Sequence, residues 1–121
     1  MINERLVKQI QFITEIDRLK NIFRQNIVIG TDRNENDAEH SWHMAVMAIL
    51  LSEYSVEKNL DLLKVLKLII IHDLVEIGAG DTFCYDEKGR EDKAEREEKA
   101  AQQLFNLLPG DQAAEIYCLW R

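Results

Sequence analysis

Residues 60–81 read LDLLKVLKLIIIHDLVEIGAGD, and the conformation of this stretch decides the architecture. The β-branched run Ile69, Ile70 and Ile71 is compatible with a buried strand. Length and the polar positions Lys64 and Lys67 favour a helix. The spacing predicts a helix from about Leu60 to Glu76, broken by Gly78 and Gly80, with an acidic, glycine-containing loop over residues 77–89. His72 and Asp73 follow directly on the apolar run. A carboxylate in that setting is expensive to bury unless it is paired or binds a metal.

Working outward, the preceding segment opens with Asn36 followed three residues later by Glu39, the pattern of a capping box. A helix is expected from Asn36 to about Tyr54, with His40, Met44, Met47 and Leu51 on one face. Nearer the N-terminus, Leu6, Ile10, Ile13, Ile16, Leu19 and Phe23 recur every three or four residues, predicting an amphipathic helix that stops near Asn26. Residues 30–36 read as polar loop. Downstream, a fourth helix is expected from about Glu91 to Leu108, with Ala94, Ala101, Leu104 and Leu108 as its apolar stripe and a solvated charge run at its start. Pro109 and Gly110 end it, and Asp111 can cap a fifth helix whose Ala113, Ile116, Tyr117 and Trp120 share a face. The expectation is an all-α bundle of about five helices, with one domain over residues 1–121.

The 121 residues suit a single domain able to bury a real core. A net charge of −7 argues against nucleic acid as the main partner, because neutralising a phosphate backbone needs a basic surface. A small phosphorylated ligand needs only a local cation. The N-terminal residues MINERLVKQIQF lack the apolar run of a signal peptide, and no apolar run has the length of a membrane span. Cys84 and Cys118 form neither a disulfide framework nor a zinc-ligand spacing, which fits reduced thiols and a cytoplasmic location.

The chemistry lies in AEHSWHM (38–44) and in His72-Asp73. A lone histidine on an apolar helix face is an ordinary core residue. Two such histidines, one followed by a buried-looking aspartate, point to a divalent cation held by neutral imidazoles and a carboxylate. Mixed nitrogen and oxygen ligation admits manganese, iron, cobalt, nickel, zinc or magnesium. His43, three residues beyond His40, reads as packing or as a neighbour of the site.

These strings resemble the HD-domain superfamily, whose signature is a histidine, a distant His-Asp pair and a late aspartate. AEHSWHM with HDLVEIGAGD, and later LP and LW, is similar to the branch containing the bacterial 5'-deoxynucleotidases, from about Ile10 to Trp120. The resemblance implies that His40, His72 and Asp73 are metal ligands, that Glu76 and Asp81 act as acid and base beside the metal, and that Arg24 contacts the substrate phosphate. Arg33 leads into the ligand helix and is a second candidate for phosphate contact. It also implies a nucleoside 5'-monophosphate substrate and a homodimer. Members of that branch carry tryptophan after the arginine, where this chain has Gln25, so a preference for deoxyribose is not implied.

The alternative function is a non-catalytic metal- or nucleotide-binding module; Glu76 and Asp81 favour the enzyme. None of Asp81, Asp86, Asp92 or Asp111 occupies the late aspartate position. The expectation is therefore a truncated domain with three protein ligands, weak metal binding, an uncovered face around Ile116, Tyr117 and Trp120, and a tendency to associate.

Overall fold

The computed structural model describes residues 3–79 and 87–121. Helix α1 (Glu4–Ile16) is capped by Asn3, whose side chain accepts from the Leu6 amide at 3.1 Å. It tightens into a 3-10 turn at Asp17–Asn21 and ends there, short of Phe23. Phe23 instead opens strand β1 (Phe23–Ile27), which pairs antiparallel with β2 (Asn34–Asn36). The expected loop is thus half of a hairpin. It is tied down by the Asp37 amide donating to the Ile22 carbonyl at 2.8 Å and by Asn34 Nδ2 donating to the Arg24 carbonyl at 2.8 Å. Gly30 makes the reversal with φ of 82°, a conformation open to glycine at no steric cost.

Helix α2 (Asp37–Leu51) starts with the expected capping box: the Glu39 amide donates to Asn36 Oδ1 at 2.8 Å, and the Asn36 amide donates back to Glu39 Oε2. A 3-10 turn at Ser52–Tyr54 follows. Helix α3 (Leu62–His72) ends four residues earlier than predicted. From there the chain is overwound: the amides of Leu74, Glu76, Ile77 and Gly78 each donate to the carbonyl three residues back, before the short helix α4 (Glu76–Ala79). Glu76 therefore does not continue the His72 face of an unbroken helix. It opens a new turn, with Ile71, Leu74, Val75 and Ile77 all buried around it.

Helix α5 (Glu87–Phe105) begins four residues before the predicted start, and its C-terminal half supplies the rest of the core through Ala100, Ala101, Leu104 and Phe105. Ala94, expected in that stripe, is exposed. Helix α6 (Gly110–Trp120) has Pro109 at its N-cap with no side-chain cap. Asp111 is not the cap; its carboxylate receives both terminal nitrogens of Arg5, at 2.7 and 3.0 Å, tying α6 to α1. The α6 face at Tyr117 and Trp120 is half-buried, both rings packing edge-on against the buried Phe105.

Uncovered apolar surface lies elsewhere. On α1, Phe12 and the following Leu19 point inward, while Leu6, Ile10 and Ile13 of the periodic stripe are exposed. On α2, Trp42, Val46, Ile49 and Leu50 form an exposed stripe, and Trp42 meets Ile13 and Ile70 along an open groove of ≈ 480 Å³. Among the described residues no helix is long and apolar enough to cross a membrane.

Candidate metal centre

Helix α2 delivers His40 from its first turn, and the end of α3 delivers His72 and Asp73. The rings of His40 and His72 are 6.5 Å apart between centroids. One ligand atom from each of His40, His72 and Asp73 falls within 4.8 Å of the others. Among the described residues, these three donors make up the cluster.

Each histidine has one nitrogen already committed. His72 Nδ1 lies 2.6 Å from the Ile69 carbonyl oxygen. A carbonyl only accepts, so this nitrogen is assigned the proton, and the lone pair of the neutral ring is on Nε2. That lone pair faces Asp73 Oδ1 at 3.2 Å. Two acceptors held this close repel unless positive charge lies between them. Asp73 is also only 6% exposed, and its Oδ2 is buried with no hydrogen-bond partner. An ion pair to a single imidazole does not satisfy such a carboxylate. His40 repeats the pattern: Nδ1 lies 3.1 Å from Glu35 Oε1, leaving Nε2 as the donor atom. Two imidazoles with Nε2 lone pairs and a partly unsatisfied buried carboxylate are a donor set that fits a divalent cation.

Glu76 is half-buried at the start of α4, three residues beyond Asp73, with Oε2 inaccessible to solvent. Asp81, the second expected acid, lies outside the described residues, as does Cys84. Arg24 stands on β1, one quarter exposed, with Nε 3.7 Å from Glu35 Oε1. The hairpin thereby brings it beside the residue that holds His40. Arg33 lines an open cavity of ≈ 720 Å³ together with His40, Glu35, Trp42 and His43. Its guanidinium is already engaged, with Nη1 donating to both oxygens of Glu39 at 2.9 and 3.2 Å. That contact and the capping hydrogen bond hold the Glu39 carboxyl below its ordinary range, the Arg33 bond being the larger cause. His43 is exposed, stacked on Trp42, and apart from the cluster.

Glu35 was not singled out from the sequence. The available signal was an acid five residues before His40, in RNENDAEH. Without the hairpin, nothing indicated that it would turn back onto that imidazole. Asp37, in the first turn of α2, is fully buried and likewise gave no sign in sequence.

A helical scaffold that seats a histidine of one helix against a His-Asp pair closing another defines a class, and comparison with known proteins places the chain within it. A model of the HD domain family matches residues 16–121. The chain belongs to the HD domain family. The 5'-deoxynucleotidase HDDC2 of Bos taurus is 34% identical over 112 residues, covering 92% of this chain and 53% of that protein. The human protein of the same name is 33% identical over the same length. The crystal structure of a predicted metal-dependent phosphohydrolase from Magnetospirillum magnetotacticum superposes with a TM-score of 0.88 at 52% identity, over 98% of this chain and 59% of that one. The chain thus spans about half the length of the curated relatives it matches.

Proposed function

We propose that the protein hydrolyses the phosphate monoester of a nucleoside 5'-monophosphate, using a divalent cation held by His40, His72 and Asp73. The observation that carries this reading is the buried carboxylate of Asp73, facing the His72 lone pair with one oxygen unpartnered. The names of the relatives, 5'-deoxynucleotidase and metal-dependent phosphohydrolase, support the reaction class.

A divalent ion supplies polarisation of a phosphoryl oxygen and activation of water at neutral pH. The remaining work falls to side chains. Arg24, on the hairpin, receives the phosphate and stabilises charge that develops on its oxygens. Glu76 exchanges a proton with the attacking water or the leaving oxygen, and Asp81 is the second acid. Arg33 has its charge shared with Glu39 and contributes to the shape of the neighbouring cavity more than to phosphate binding. Manganese, iron, cobalt, nickel, zinc and magnesium remain the candidate ions. The partner is a small nucleotide, with no role for nucleic acid or membrane, and the working location is the cytoplasm.

Residues 16–121, matched by the HD family model, carry the site in this reading, and the chain pairs with a second copy. The test is release of inorganic phosphate from nucleoside 5'-monophosphates with each metal in turn. Tight nucleotide binding without phosphate release would favour a binding module instead.

A further inference from the structure

We propose that Glu35 is a positioning residue that ties the metal ligand His40 to the phosphate-binding Arg24. Glu35 sits on β2, 15% exposed at its side chain. Its Oε1 is shared between His40 Nδ1 at 3.1 Å and Arg24 Nε at 3.7 Å. All three side chains are largely buried, at 15%, 21% and 26% exposure. The hairpin produces the arrangement: Phe23 pairs with Asn36, so the residues next inward on each strand, Arg24 and Glu35, sit near one another.

The two contacts differ in kind. At 3.1 Å the carboxylate accepts a hydrogen bond from His40, which places the proton on Nδ1 and presents the Nε2 lone pair to the cluster. Free imidazole has no such bias toward the Nδ1-protonated form. At 3.7 Å the Arg24 contact is ionic but too long for a hydrogen bond, and Arg24 Nε is buried without a hydrogen-bond partner. Glu35 therefore balances the arginine charge without occupying its terminal nitrogens. One carboxylate fixes a ligand's tautomer and restrains the phosphate-binding side chain, so the two halves of the site keep a constant separation. The Arg24 part rests on the phosphohydrolase reading; the His40 part does not.

The test uses the full chain as wild type, Glu35→Ala and Glu35→Gln. Side-chain ¹H–¹⁵N correlation spectra of the metal-free proteins report the tautomer of each histidine. Wild-type His40 should be protonated on Nδ1. In E35A it should move toward Nε2 protonation while His72, held by the Ile69 carbonyl, stays unchanged. E35Q keeps a carbonyl oxygen able to accept from Nδ1 and should retain the wild-type tautomer. Titration with manganese or cobalt should give about a 10- to 100-fold loss of affinity in E35A and a smaller loss in E35Q. A His40 tautomer that is the same in all three proteins, or equal metal affinity in E35A and wild type, would overturn the role of Glu35. Phosphate release missing from every variant would instead count against the proposed reaction, with tautomer and affinity still deciding the role of Glu35.

Discussion

Oδ1 of Asp73 lies 3.2 Å from Nε2 of His72, and the other oxygen of that carboxylate is buried with no hydrogen-bond partner. In Asp73→Asn the amide can donate to the Nε2 lone pair, and a buried charge disappears. We expect the metal-free D73N protein to be as stable as wild type or up to about 1 kcal/mol more stable. Metal should reverse the order. At a hundred times its dissociation constant a cation stabilises the wild type by about 2.7 kcal/mol, and D73N should gain almost nothing. Thermal melts with and without manganese measure both effects. A D73N protein destabilised without metal and still stabilised by it would contradict the assignment.

Arg24 and Arg33 should separate cleanly. With the role proposed for Arg24, Arg24→Ala should lose charge-assisted hydrogen bonds to phosphate and raise KM about 10- to 100-fold. Arg33→Ala breaks an exposed pair with Glu39 and should leave KM within about twofold, since exposed pairs contribute little. Steady-state kinetics of the two variants decide it, and a large KM effect from Arg33 alone would reverse their roles.

The positions of these arginines were only partly legible. The Asn36–Glu39 spacing announced the start of α2, and the strings around His40 and His72 announced the cluster. The hairpin did not announce itself: Phe23 continues a helical period, and β1 exists because its backbone finds β2 and the α2 entry to bond with. The end of α3 was also hidden, because LVEI suits a helix and the tightening at Asp73–Val75 accompanies burial of Leu74, Val75 and Ile77 in the core. On α1, periodicity predicted the helix but not its buried face: Ile10 and Ile13 of the stripe are exposed, and Phe12, outside the stripe, takes the inward place.

Near the C-terminus, the Tyr117 hydroxyl donates to Glu98, and Arg121 donates to the same oxygen at 2.8 Å. Together, the tyrosine first, they hold the Glu98 carboxyl below its ordinary range. The unfolded chain therefore binds this proton at higher pH than the folded one. The stabilisation is full above the ordinary glutamate pKa of about 4.3 and is lost as pH falls through the lower folded value. The stability difference between wild type and Glu98→Gln should be larger at pH 7 than at about pH 3. Melting curves that show the same difference at both pH values would contradict this.

Trp42, Val46, Ile49 and Leu50 follow helical spacing on the open side of α2, and Trp42 shares a groove with Ile13 and Ile70. A contiguous apolar face of this kind seeks cover. We expect the 121-residue chain to be a dimer in solution, and Ile49→Glu with Leu50→Lys to shift it toward monomer. Sedimentation analysis tests this. A wild-type monomer would argue that the face is covered by other means, as by the additional length its relatives possess.

The most direct test of the central claim is phosphate release from a panel of ribo- and deoxyribonucleoside 5'-monophosphates by the metal-loaded wild type, D73N and Glu76→Gln. The account predicts metal-dependent release by the wild type. D73N should bind little metal and release nothing, whereas E76Q should keep its metal and turn over about 100-fold slower or worse. No release by the wild type with any metal, or undiminished release by D73N, would contradict it.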